Sequence, residues 1–144
     1  MIVHAGLLGL RLGGRWRGAL IEGPSGAGKS DLALRAIEAG FRLVADDRVV
    51  LWTCGGRLYG RAPDTLQGLL EVRGLDVVRE PGLSFCEVAL VVSPGDPERI
   101  PPRNRAKRLE VELPAVILPY GEASAPAKLR RALAALYLGQ ERRM

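Results

Sequence analysis

The chain has 144 residues, of which 47% are hydrophobic and 26% charged, and this balance predicts one soluble globular domain over residues 1–144 with a sizeable core. No apolar run approaches the roughly 20 residues that span a bilayer, and the N-terminus lacks the pattern of a secretion signal, so we expect a cytoplasmic protein without membrane contact. The net charge of +5 comes from residues 99–144, with 10 Lys/Arg against 4 Asp/Glu, but no aromatic residues are interleaved with these clusters, which argues against nucleic-acid binding.

The first third of the chain predicts strand, loop and helix in that order. Residues 3–12 read as a strand that turns at Gly13-Gly14 into a second strand over 16–22. A helix follows over 29–39, because Leu32, Ala33, Ala36 and Ile37 recur at helical spacing before Gly40.

The rest of the chain predicts short strands and one final helix. Strands are expected over 41–45, 49–52, 58–61, 69–73, 77–79, 86–92 and 109–118, with a proline-rich loop over 94–102. Ser124 is the expected N-cap of a last helix, whose apolar stripe comprises Leu129, Ala132, Leu133, Leu136 and Tyr137. The fold class is therefore α/β: a P-loop NTPase-like domain with a mixed central β-sheet and flanking helices.

The connection between the second strand and the first helix matches the phosphate-binding pattern G-x-x-x-x-G-K-[ST] at every fixed position. Its glycines allow backbone N–H groups and the helix dipole to face an anion, the lysine adds a positive charge, and the serine offers a hydroxyl to Mg2+. The predicted nucleotide-binding residues are Gly23, Pro24, Ser25, Gly26, Ala27, Gly28, Lys29 and Ser30.

Two adjacent carboxylates, Asp46 and Asp47, end the strand that follows this helix. Side chains alternate along an extended chain, so one carboxylate can face a metal ion while the other faces an acceptor hydroxyl. Aspartate is also common in ordinary turns, and only the nearby phosphate loop favours a functional reading.

Glutamate, arginine, histidine and cysteine residues outside these two motifs are further candidates. Glu71 and Arg73 lie on one face of a predicted strand, and His4 is the only histidine, which by itself is more often a surface or core residue than a catalytic one. Cys54 and Cys86 have no metal-ligand or disulfide spacing, so we expect two buried free thiols.

The chain contains four pieces in a fixed order: His4, residues 23–30, Leu43-Val44-Ala45-Asp46-Asp47 and Leu69-Leu70-Glu71-Val72-Arg73-Gly74-Leu75. This ordered set resembles the catalytic domain of HPr kinase/phosphorylase, which phosphorylates a serine of the phosphocarrier HPr. The resemblance covers residues 1 to about 80 and implies a catalytic domain alone, without the N-terminal domain of longer members. It departs from the family signature at Leu75-Asp76-Val77, where Leu-Gly-Ile is usual.

The resemblance implies the following roles. Asp46 would be the general base, with His4 nearby tuning it, and Lys29 would hold the outer phosphates of ATP. Ser30, Asp47 and Glu71 would bind or orient Mg2+, and Arg73 would lie near the phosphate or the acceptor. Run backwards, the same carboxylate would protonate the serine as phosphate attacks phosphoserine, giving pyrophosphate.

The resemblance further implies HPr or an HPr-like phosphocarrier as partner, and a homo-oligomer, a hexamer in longer relatives. A small-molecule kinase and a non-catalytic P-loop nucleotide sensor remain the alternatives. The basic residues Lys128, Arg130 and Arg131 suggest a docking face without local acidic partners.

Overall fold

The computed structural model describes residues 1–137, with side chains described to residue 135. Ten strands and two helices make up this part of the chain. In chain order they are β1 (Ile2–Leu12), β2 (Arg15–Glu22), α1 (Lys29–Glu38), β3 (Arg42–Ala45), β4 (Arg48–Cys54), β5 (Arg57–Arg61), β6 (Leu69–Val72), β7 (Asp76–Arg79), β8 (Cys86–Pro94), β9 (Asn104–Arg108), β10 (Val111–Leu118) and α2 (Ala125–Tyr137).

The main sheet closes on itself. Its strand order is β2-β1-β4-β5-β8, and parallel pairing of β8 with β2 completes a ring of five strands. Strands β10 and β9 extend the sheet beyond β8, and β3 pairs with β1 alongside β4. The sheet is therefore mixed, as expected, but the closure into a barrel-like ring is not visible in any local sequence pattern.

Alternation along the strands divides the core in two. Leu7, Leu20 and Val91 face the interior of the ring, in a cluster that contains no residue of either helix. Their neighbours Leu8, Ile21 and Val92 face outward, into a second cluster shared by α1 and α2. Both helices therefore pack on one side of the ring, which refines the expectation of flanking helices.

The small hairpin β6–β7 forms a separate two-stranded sheet. Leu70 is fully buried and joins the helix-side core, with Val72 and Val78 packed against it. This contact places the outer end of the hairpin beside the turn that follows β3, where Glu71 N–H donates to the carboxylate of Asp46.

The predicted strand over 109–118 is wrong at its start. Leu109 and Glu110 form a turn with positive φ angles of 46° and 68°, and the basic segment before them is an additional strand, β9, antiparallel to β10. Lys107 and Arg105 are balanced across this hairpin by Glu110 and Glu112, which explains how so basic a segment pairs as a strand. Pro94, placed in the loop by the sequence, is the last residue of β8.

Helix α2 begins directly after Ser124, but the serine hydroxyl donates to the carboxylate of Glu122. The expectation that the basic residues of this helix lack acidic partners is wrong, since Lys128 also bonds Glu122. Arg130 donates to the Ala39 carbonyl, so it contributes to the contact between the helices. The apolar stripe is confirmed at Leu129 and Leu133, which are buried. Positions 136 and 137 lie beyond the described side chains.

The two cysteines differ in their surroundings. Cys86 is buried, and burial raises the pKa of its thiol to about 12, with the charge of Glu87 adding to the effect. Cys54 is exposed at the end of β4, so the expectation of two buried thiols holds for only one of them.

Candidate active site

The phosphate loop lies between β2 and α1, as the sequence predicts. Gly23, Gly26 and Gly28 have φ angles of 142°, 85° and 98°, values that residues with a side chain rarely adopt. Gly28 is the residue before the helix, and its carbonyl accepts the N–H of Leu32, which starts the helical hydrogen bonds. The free N–H groups of the first helical turn and the positive end of its dipole therefore point into the loop.

Lys29 is the buried charge of the loop. It is only 7% exposed, and its ammonium donates to the carbonyl oxygens of Gly23 (2.7 Å) and Pro24 (3.0 Å). The loop's own backbone thus holds the lysine at the start of the phosphate-binding turn. An anion in the loop would meet one full positive charge together with the helix N-terminus.

Asp46 lies on the inner side of the site and is hydrogen-bonded at both oxygens. Its Oδ1 accepts the Ser30 hydroxyl at 2.8 Å, and its Oδ2 accepts Glu71 N–H at 3.0 Å. Burial raises the pKa of this carboxyl above its ordinary value, the two hydrogen bonds oppose the shift, and the charges of Asp47 and Glu71 raise it further. Three carboxylates thus repel one another here, an arrangement that a cation would stabilise.

Asp47 lies on the outer side of the site, 51% exposed. Its φ angle of 72° turns the chain, so that the side chains of Asp47 and Asp46 point in different directions. The Asp47 carboxylate lies 3.7 Å from Nδ1 of His4 and 3.9 Å from Nε of Arg48. Backbone bonds from Ala5 and Arg48 to the two aspartate carbonyls fix this turn against β1.

The structure therefore groups the predicted residues differently from the sequence. His4 contacts Asp47, whereas the family resemblance implied a position near Asp46. Ser30 contacts Asp46, whereas the resemblance grouped this serine with Asp47 as a metal ligand. Glu71 belongs to the inner side through its backbone bond, and Arg73 is exposed in the turn after β6, not in the strand.

Sequence reasoning missed a brace beneath the phosphate loop. The guanidinium of Arg108, at the end of β9, makes two hydrogen bonds of 2.9 and 2.7 Å to the carboxylate of Glu22, the residue before the loop. The hydroxyl of Tyr120 lies between the carbonyls of Glu22 and Val92, and burial raises the pKa of this phenol. These partners are 86 and 98 residues away in the chain, so no local pattern could reveal them.

The donor chemistry of the inner side suits Mg2+. Within residues 1–137 no three His, Cys, Asp or Glu side chains form a complete metal cage. Mg2+, however, is usually held by one or two carboxylates together with substrate phosphates and water. The Ser30 hydroxyl and the Asp46 carboxylate provide two adjacent oxygen donors beside the phosphate loop, and Glu71 adds negative charge.

Comparison with known proteins places this geometry in a family. The model of the HPr serine kinase C-terminal domain matches residues 7–81, just over half of the chain and including the loop, both aspartates and the hairpin. The chain belongs to this family. Within the HPr kinase family, it is 50% identical over 66 residues to the HPr kinase/phosphorylase of Clostridium tetani, covering 46% of this chain and 22% of that protein.

Two further similarities extend beyond the matched segment. The HPr kinase/phosphorylase of Mycoplasmopsis pulmonis is 31% identical over 138 residues, which cover 85% of this chain and 45% of that protein. The solved HPr(Ser) kinase/phosphatase of Coxiella burnetii has the same fold, with a TM-score of 0.80 at 24% identity, over 96% of this chain and 97% of that one. The chain thus spans less than half the length of the Clostridium tetani and Mycoplasmopsis pulmonis proteins. No helix within residues 1–137 is long and apolar enough to cross a membrane.

Proposed function

We propose that this protein is an ATP-dependent protein serine kinase that phosphorylates HPr or an HPr-like phosphocarrier. The observation that carries the proposal is a phosphate loop whose serine contacts a half-buried aspartate, with a second, exposed aspartate beside it. Two carboxylates in different environments can divide metal binding and proton transfer between them. The names of the relatives supply the acceptor, HPr.

The residues of the phosphate loop would bind the nucleotide as a P-loop NTPase-like site does. Backbone N–H groups and Lys29 hold the outer phosphates, and Ser30 with Asp46 holds Mg2+, which neutralises charge on the phosphates when bound. Glu71 contributes through its backbone bond to Asp46 and through its charge. This arrangement keeps Ser30 and Glu71 in the metal role and exchanges Asp47 for Asp46.

The outer aspartate is then the better candidate for general base. The Asp47 carboxylate is exposed to an incoming protein, and His4 lies where it can orient the carboxylate. Asp47 accepts the proton of the acceptor serine as the serine oxygen attacks the γ-phosphorus and ADP leaves. In the reverse direction the same group protonates the serine oxygen as inorganic phosphate attacks phosphoserine, which yields pyrophosphate and free serine.

Two arginines would complete the site. Arg108, in the C-terminal half of the chain, reaches the start of the phosphate loop, and through Glu22 it fixes the loop's entry. Arg73 is exposed in the turn after β6, and by resemblance we place it near the acceptor or its phosphate. We further propose a cytoplasmic homo-oligomer, a hexamer by resemblance, with no role for nucleic acid; sedimentation of the purified protein measures its assembly.

Transfer of labelled γ-phosphate from ATP to purified HPr tests the function. Wild-type protein with Mg2+ should label HPr at serine, and HPr with that serine replaced by alanine should remain unlabelled. The Lys29→Met variant is the matched control for contaminating kinases. Labelling of small hydroxyl compounds instead of HPr would favour a small-molecule kinase, and tight ATP binding without any transfer would favour a nucleotide sensor.

A further inference from the structure

The outward face of the β6–β7 hairpin is an exposed surface next to the candidate site. The two strands pair so that Glu71 lies opposite Val77 and Leu69 lies opposite Arg79. Alternate residues of the hairpin point inward to the helix-side core, which leaves these four positions on the outer face. Val77 is 55% exposed on this face.

The charges of this face are not internally balanced. Arg79 is exposed and makes no hydrogen bond or ion pair with any residue in the described range 1–137. By contrast, Arg57 on the β4–β5 hairpin lies 3.7 Å from Glu87, and Arg61 lies 3.0 Å from Asp64. Arg79 thus offers a guanidinium that a carboxylate from another molecule can engage.

An open cavity of about 480 Å³ continues this face. Arg79 belongs to its lining, together with Gln67, Glu80, Pro81 and Leu83. The cavity's far wall is rigid, because Leu83 N–H donates to the Leu43 carbonyl and a Cβ at Gly82 would lie only 1.9 Å from that oxygen. A side chain entering the cavity would therefore meet a preformed surface.

The face belongs to the hairpin whose strand β6 contacts Asp46. Glu71 N–H is bonded to Asp46, and Val77 is the cross-strand neighbour of Glu71, a relation that puts Cβ atoms roughly 5 Å apart. Arg79 lies two residues beyond Val77 along β7, which puts it about 7 Å from Val77. An acceptor polypeptide that delivers a serine to the site would place residues near that serine over this face.

We propose that Val77, Arg79 and the adjoining cavity form the docking track for the acceptor protein's segment beside its phosphorylated serine. This inference rests on the proposed function and specifies how it selects its substrate. The occupant is a polypeptide with an apolar side chain to cover Val77 and a carboxylate to pair with Arg79. Exposed arginines are ordinary on hairpins, but here an unpaired cation, an exposed apolar residue and a cavity lie together on the hairpin whose strand β6 contacts Asp46.

The test is steady-state transfer to HPr by Val77→Ser, Arg79→Glu and the double variant. We expect the double variant to raise KM for HPr at least tenfold, with kcat and KM for ATP within twofold of wild type. The contribution of Arg79→Glu should shrink at high salt, because the pair it breaks is exposed. Both positions are exposed, so thermal midpoints should stay close to that of wild type.

The matched control is Arg57→Glu, the same charge change on another exposed hairpin. Arg57 pairs with Cys54, six residues along β4 from Arg48 and thus roughly 20 Å from the site. Equal effects of Arg79→Glu and Arg57→Glu, or an unchanged KM for HPr in the double variant, would overturn the docking track and leave the kinase proposal standing. A wild-type protein that transfers no phosphate to HPr would instead overturn the kinase proposal and the track with it.

Discussion

The inner and outer sides of the candidate site differ although their central residues are neighbours in the chain. On the inner side, Asp46 is half-buried and accepts hydrogen bonds from the P-loop serine and from β6. On the outer side, Asp47 is half-exposed and lies beside His4 and Arg48. One positive φ angle, at Asp47, separates the two environments. We propose that this difference assigns metal binding to Asp46 and proton transfer to Asp47.

Replacing Lys29 should disable both sides at once and have the largest effect. Lys29→Met removes the one full positive charge that the loop provides for the outer phosphates. We expect loss of measurable phosphate-dependent nucleotide binding and of transfer, measured by equilibrium dialysis and by labelling of HPr. Lys107→Met, on the exposed β9 strand, is the control. Unchanged ATP affinity in Lys29→Met would remove the loop from the mechanism.

Asp47→Asn should affect the outer side alone. The amide keeps the shape of the side chain but cannot accept a proton, and loss of a general base typically costs about 10^2 to 10^4 in rate. We expect that decrease in single-turnover transfer, with Mg2+-ATP affinity little changed. A variant that loses nucleotide binding together with transfer would place Asp47 in the metal site instead.

His4→Gln should give a smaller loss on the same side. The imidazole lies 3.7 Å from the Asp47 carboxylate, and we propose that it orients that group. We expect kcat to fall roughly tenfold and the effect to disappear in an Asp47→Asn background, because residues that act together are not additive. Independent, additive losses in the double variant would show that the two residues do not act as a pair.

The buried position of Asp46 should also affect how the thermal stability of the protein depends on pH. Folding raises the pKa of Asp46, chiefly by burial, so the native state binds a proton more readily than the unfolded chain. Stability contributed by this group is therefore lost as pH rises from the ordinary carboxyl range through the raised pKa. Without metal and nucleotide, Asp46→Asn should raise the thermal midpoint near neutral pH, and the gain should vanish in acid.

The local elements of the site were predictable from sequence, but their assembly was not. The helix after the P-loop and the strand before Asp46 follow from periodicity, and both were found where expected. The proposed roles of the two aspartates depend on the positive φ angle at Asp47. Aspartate can adopt a positive φ angle, but no sequence pattern shows where it does so. The two carboxylates do diverge, but through the positive φ angle of Asp47 and not through strand alternation, and no sequence pattern shows which one meets Ser30.

The C-terminal third shows why long-range structure escapes such reasoning. Strand β9 was missed because its residues are mostly basic and the turn after it, Leu109-Glu110, lacks glycine. The hydrogen bonds of Arg108 to Glu22 join the end of β9 to the end of β2. The pairing of β9 with β10 brings Arg108 to the phosphate loop. Closure of the ring likewise depends on the distant pairing of β2 with β8.

The most direct test of the division between the two sides is the Mg2+ dependence of ATP binding in Asp46→Asn and Asp47→Asn, measured side by side by isothermal titration. Wild type should bind ATP more tightly with Mg2+ than without it. The account predicts that Asp46→Asn loses most of this Mg2+ enhancement, whereas Asp47→Asn retains it while transferring phosphate slowly. Loss of the enhancement in Asp47→Asn and its retention in Asp46→Asn would contradict the assignment and exchange the two roles.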